Sequence, residues 1–164
     1  MDYFDITPQG MQWLHDELER CKQQRPALIK RLSAAAALGD RSENTEYTES
    51  KRDLRHLESR MRYMDKQTRY GQVVTVKDDG VVALGKTVCL LFDGDDDDDV
   101  ETYQVVGPAE AEMADNNLTS VSPLGSALMG LKAGDTATVQ APAGEYQVTV
   151  KSVTLTPQAK VADA

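Results

Sequence analysis

Ala34-Ala35-Ala36-Ala37-Leu38-Gly39-Asp40-Arg41-Ser42-Glu43-Asn44-Thr45-Glu46-Tyr47 is the stretch on which the fold turns. Upstream of it, apolar or small residues recur three and four apart at Met11, Leu14, Leu18, Cys21, Leu28, Leu32 and Ala35, and only Arg25 breaks the alternation. Downstream, Tyr47, Leu54, Leu57, Met61, Met64 and Thr68 keep it, with Ser50 as the polar member. Such a/d spacing on two neighbouring segments predicts an antiparallel coiled-coil hairpin. The alanines bring the first arm in slim, and Gly39 permits a tight reversal. The acids Asp40 and Glu43 then fall at the tip. Arms of about 25–30 residues, rising roughly 1.5 Å each, put that tip about 40 Å from the base.

Outside the hairpin the punctuation is clear. Thr7-Pro8 reads as a helix start, with Thr7 as N-cap and Pro8 in the first helical position. Pro26 falls inside the first arm and is expected to kink or split it. From Gln72 onward the pattern changes to β-branched runs, at Val73–Val76, Thr87–Phe92, Val100–Val106, Thr136–Gln140 and Glu145–Leu155. Turn signals separate them, including Asp78-Asp79-Gly80, Gly134-Asp135 and Pro142-Ala143-Gly144. One short helix interrupts, capped by Ser122-Pro123 and ended by Gly130. The predicted class is α+β: a helical hairpin over 1–72 with its tip at 39–47, a small antiparallel-sheet domain over 77–155, and a flexible tail over 156–164.

The net charge of −9 is unevenly spread. Residues 1–71 hold 13 Lys/Arg and 12 Asp/Glu, whereas residues 72–164 hold 5 and 15. So acidic a chain lacks the basic footprint of a general DNA binder, although a local basic stripe on the first half remains open. Its apolar runs are far too short to span a membrane. Met1-Asp2-Tyr3-Phe4-Asp5 lacks a basic segment followed by an apolar one, so no signal peptide is expected. Cys21 and Cys89, far apart and without a framework, suit a reducing cytosol and read as small core residues. The run Asp95–Asp99, extended by Asp93, lacks the spacing and later Glu of an EF-hand. It reads as a solvated hairpin loop whose like charges discourage edge pairing.

Two features can carry chemistry. Asp40 and Glu43, three residues apart on a compact turn, can point the same way and suit Mg²⁺, a hard cation that prefers oxygen ligands. Two acids make only part of a site, so a partner would have to supply further ligands. The competing reading makes Asp40 the N-cap of the second helix, with Glu43 as its capping-box partner. The second feature is a stripe of one sign. At about 100° per residue, Arg52, Arg55, Arg62, Lys66 and Arg69 share roughly a 100° arc that no acid between residues 46 and 69 enters. It suits a phosphate backbone lying beside the arm, or it is an ordinary solvated face. His15 and His56 have no ligand cluster at metal spacing and read as surface or seam residues. Trp13 and Tyr3 read as packing near the hairpin base.

The tip, AAAALGDRSENTEY, closely resembles bacterial transcript-cleavage factors of the GreA/GreB family. So do ITPQG, RPALIKRL and KRDLRHLESRMRYMDKQ around it. ETYQVVGPAEA, SPLGSALMGLKAGD and VQAPAGEYQVTV extend the likeness over nearly the whole chain. The RSEN tip and the second arm look more like the GreB subtype, whereas the ending looks common to both, and the subtype is left open. The resemblance implies a monomeric, cytoplasmic elongation factor whose hairpin enters the secondary channel of bacterial RNA polymerase. There it would stimulate cleavage at the nascent RNA 3' end in backtracked or arrested complexes. Its C-terminal domain would have FKBP-like topology and dock at the channel rim. Asp40 and Glu43 match the family's tip acids, which help hold a Mg²⁺ shared with the polymerase. Gly39, Asn44 and Tyr47 match positions that shape the tip. Arg52 and Arg55, with Arg62 and Lys66 beyond them, match the RNA-contacting patch. Such a factor is no enzyme by itself. The rival expectations are a channel-blocking inhibitor of the same shape and a non-catalytic coiled-coil adaptor.

Overall fold

A computed structural model describes residues 2–39 and 43–157. They form two compact units. Trp13–Tyr70 makes one, and the residues before it join those from Gly71 onward in the other. Residues 2–12 thus cluster with the sheet, not with the hairpin. A heptad pattern cannot show this, because the segment that draws them there is distant in sequence.

The hairpin unit follows its periodicity. Helix α1 runs Pro8–Ala36 and helix α2 runs Thr45–Tyr70. Leu14, Leu18, Cys21 and Ala35 on α1 are buried, as are Ser50, Leu57 and Met64 on α2. The remaining seam positions are half-buried, whereas Arg25 is exposed and lies 3.9 Å from Glu58. Ion pairs cross between the arms in antiparallel order. Arg60 meets Glu17 at 3.1 Å near one end, and Arg31 meets Glu46 at 2.9 Å and Asp53 at 2.7 Å near the other. Pro26 does not split α1, which runs unbroken through it. One missing backbone donor is a local cost, and the packed seam on either side outweighs it.

In the other unit, β1 (Phe4–Ile6) pairs in parallel with β2 (Gly71–Val73). The strand expected over Val73–Val76 stops at Val73. One further bond extends the pairing, from the Val74 N–H to the Ile6 carbonyl at 3.0 Å. The ladder then ends because its partner turns into α1. The main sheet has the order β5-β4-β3-β7-β6. Its strands are β3 (Lys86–Phe92), β4 (Glu101–Val106), β5 (Asn117–Thr119), β6 (Thr136–Ala141) and β7 (Gly144–Leu155). Four of these are antiparallel neighbours, but β5, which the sequence pattern does not reveal, lies parallel to β4. Alternate residues Val88, Leu90, Val148 and Val150 point into one core with Val82, Val105, Val139 and Leu128. Each such side chain contributes about 1.5–3 kcal/mol on burial. Leu128 belongs to α3 (Pro123–Leu128), whose cap is Ser122: its Oγ accepts the Gly125 N–H at 3.1 Å.

The acidic run Asp93–Asp99 is exposed and joins β3 to β4 as a hairpin loop. Cys21 is buried as expected, but Cys89 is only half-buried, its Sγ 3.5 Å from Thr102 Oγ1. Among the described residues no helix is long and apolar enough to cross a membrane.

Candidate functional site at the hairpin tip

Helix α1 ends at Ala36, and the chain reverses through Gly39 at φ 120°, a conformation that side-chain-bearing residues rarely adopt. Asp40 lies outside the described residues. Glu43 is exposed and stands just before the start of α2. Asn44 organises the first turn of that helix. Its Oδ1 accepts the Tyr47 N–H at 3.0 Å, which makes it the N-cap of α2. Its Nδ2 donates to the Ala35 carbonyl at 2.7 Å, near the end of α1, an oxygen that also accepts the Leu38 N–H at 3.2 Å. One amide side chain therefore ties both arms at the turn. The cap of α2 is Asn44, so the reading in which Asp40 caps that helix with Glu43 as box partner is wrong. Glu43 is left outside the helix with no capping task.

Behind the tip, the outer face of α2 is basic. Arg52, Arg55, Arg62 and Lys66 are all exposed. Arg52 and Arg55 line a surface hollow of about 570 Å³ together with Tyr47, Thr48, Lys51, His56 and Ser59. The lining forms two rows at four-residue spacing, which stack on one helical face. Lys51 Nζ lies 5.8 Å from the centre of the Tyr47 ring. Sequence reasoning missed Lys51 and His56 as members of this hollow, although the same four-residue spacing from Tyr47 and Arg52 reaches both. Arg62 donates to Ser59 Oγ at 3.1 Å, and Arg69 is neutralised by Asp65 at 2.9 Å. The stripe is therefore not wholly free of acids: Asp65 reaches its far end along the i,i+4 direction. His15 is exposed, and the Arg60 guanidinium lies 6.0 Å from the centre of the Trp13 ring.

Elsewhere the charged groups serve the fold. Lys86 is buried, with Nζ 2.8 Å from Asp79 Oδ1 and 3.2 Å from the Val81 carbonyl. The Lys86 ammonium, helped by the Val81 N–H, holds the Asp79 carboxyl below its usual range. Tyr103 donates to Glu101 Oε2 at 2.6 Å, which pushes its phenol up to about 12. No three of the described His, Cys, Asp and Glu residues form a group able to hold a metal ion.

Comparison with known proteins agrees with this geometry. The family model for the N-terminal part of the transcription elongation factors matches residues 4–73. That for the GreA/GreB C-terminal part matches residues 75–155. Transcription elongation factor GreA 1 of Lactiplantibacillus plantarum is 47% identical over 148 residues, covering 90% of this chain and 94% of the relative. Transcription elongation factor GreA of Streptococcus agalactiae serotype Ia is 38% identical over 155 residues, covering 92% and 94%. The solved structure of the transcription factor Gfh1 covers 93% of this chain and 99% of its own, with a TM-score of 0.46 and 24% identity, too distant a likeness to bear on function. With both halves matched and relatives alike over nearly their full length, the chain belongs to the GreA/GreB family of transcription elongation factors.

Proposed function

We propose that the protein carries Asp40 and Glu43 into the secondary channel of RNA polymerase and stimulates cleavage of the nascent RNA in backtracked complexes. The observation that supports this most is the capping of α2 by Asn44, because it leaves Glu43 exposed and not needed as the cap of that helix. A carboxylate offered at the end of a slim hairpin is suited to a partner's site. Asn44 and Gly39 fix the path of the turn, and Tyr47 lies where the tip meets the basic hollow. The sheet unit docks at the channel rim.

The two acids fit Mg²⁺ as half of a site, being hard oxygen donors too few to hold it unaided. Residues of the polymerase supply the rest, so the chain alone is inert. When bound between the two proteins, the ion would stabilise the attacking and leaving oxygens of a phosphodiester hydrolysis. Asp40 and Glu43 serve as its ligands and as hydrogen-bond acceptors that orient the attacking water. Arg52 and Arg55, with Arg62 and Lys66 further along, attract and align the displaced 3' segment of RNA through its phosphates. The factor acts as a monomer in the cytoplasm, where the polymerase works.

RNA cleavage in stalled, backtracked complexes tests this reading. The parent should accelerate cleavage by a few orders of magnitude, and Asp40→Ala or Glu43→Ala should remove that gain without loss of polymerase binding. Binding with suppressed cleavage would instead make the protein a channel blocker, and no binding would make it an adaptor. Arg52→Glu with Arg55→Glu should weaken cross-linking to the backtracked RNA; an unchanged signal removes the stripe from the mechanism.

A further inference from the structure

Helix α1 has no acid in its first turn, and its Thr7-Pro8-Gln9-Gly10 start places glycine where a capping box would put Glu. The acid arrives from a distance. Glu110, buried at the end of the short 3₁₀ turn Pro108–Glu110, directs both carboxylate oxygens at Thr7. Its Oε2 accepts the Thr7 N–H at 3.0 Å and the Gly107 N–H at 2.7 Å, and its Oε1 accepts the Thr7 hydroxyl. Thr7 Oγ1 in turn accepts the Gly10 N–H at 3.0 Å. All the elements of a capping box are present, with the carboxylate supplied 103 residues along the chain. The approach requires the glycines. A Cβ on Gly10 would lie 1.9 Å from Glu110 Oε1, and one on Gly107 would lie 2.0 Å from the Asp5 carbonyl.

We propose that Glu110 is a positioning residue for the cleavage function: it fastens the first turn of α1, the same unbroken helix that leads to the tip. The carboxylate satisfies donors at the helix start and complements the positive end of its dipole. Without it, the first turn of α1 frays, and bound factor spends less time with its acids in place. The inference rests on the function proposed above, and its experiment separates the two.

Amide exchange in the free, full-length protein reads the anchor, and cleavage with saturating factor reads its consequence. Glu110→Ala should speed exchange of the Gly10 and Met11 amides at least tenfold while sheet amides such as Val88 and Val105 keep the parent's rates. It should lower cleavage at saturation at least fivefold with polymerase affinity within twofold of the parent. Glu110→Gln, which keeps one oxygen for the two amides, should restore most of both. Thr7→Val, milder and able to fold if Glu110→Ala is not, should shift exchange and cleavage in the same direction. Parent-like exchange at Gly10 and Met11 in the alanine and valine variants overturns the anchor. Faster exchange with parent-like cleavage overturns the positioning role. A parent protein that gives no cleavage overturns the function beneath it.

Discussion

Replacing Asn44 by Ala removes two bonds at one stroke, and their separate worth can be worked from the structure. Loss of an N-cap side chain costs about 1 kcal/mol, here the bond from the Tyr47 N–H at 3.0 Å. Loss of the half-buried tie to the Ala35 carbonyl, at 2.7 Å, costs about 1 kcal/mol more. Together they raise local opening of the hairpin end roughly 30-fold. Asn44→Asp separates the two. An aspartate keeps the acceptor for Tyr47 and adds a charge favoured at a helix N-terminus by about 0.3–1 kcal/mol, but it cannot donate to Ala35. Its net cost should be about half that of the alanine variant or less. Amide exchange of Tyr47, referenced to Val88 and Val105 in the sheet unit, measures both. The reasoning fails if Asn44→Ala changes Tyr47 exchange less than threefold, or if Asn44→Asp is as damaging.

Three further outcomes are expected. Ser50 is fully buried in the seam and its Oγ has no hydrogen-bond partner among the described residues, so Ser50→Ala should stabilise the hairpin by about 1 kcal/mol; a lower melting temperature contradicts this. Gly10→Ala should cost about 1–3 kcal/mol, because its methyl group has no room beside Glu110, and should melt the protein earlier despite the helix preference of alanine. Burial pushes the Glu110 carboxyl above its usual range, against the hydrogen bonds from Thr7 and Gly107 that favour its charged form. The folded state therefore holds this proton more tightly than the unfolded one. The associated stability is present below the ordinary carboxylate range and is lost as pH rises through the raised folded value. The parent's melting temperature minus that of Glu110→Gln should accordingly fall across that window, and a flat or rising difference refutes the assignment.

The hairpin was legible because its signal is local and repeated: every seam position from Met11 to Thr68 is buried or half-buried, and only Arg25 among the spaced residues faces solvent. The tip acids were legible by position, but the cap was not. Asp40, Ser42 and Asn44 are all cap formers, and only the observed bonds to Tyr47 and Ala35 choose among them. Pro26 misled because its penalty is local whereas the seam that overrides it spans the whole arm. β1, β2 and β5 are three residues each, too short for alternation to show, and they pair in parallel with partners that lie outside any local pattern. Glu110 was invisible for the same reason, since nothing near it in sequence marks Thr7 as its partner.

Magnesium dependence of RNA cleavage in stalled complexes tests the central claim most directly. Polymerase alone, polymerase with saturating parent, and polymerase with saturating Asp40→Ala or Glu43→Ala would be titrated side by side. If the tip acids complete a shared Mg²⁺ site, the parent moves half-maximal cleavage to lower Mg²⁺ and each variant returns it to the factor-free value. Variant curves that overlay the parent's would contradict the account.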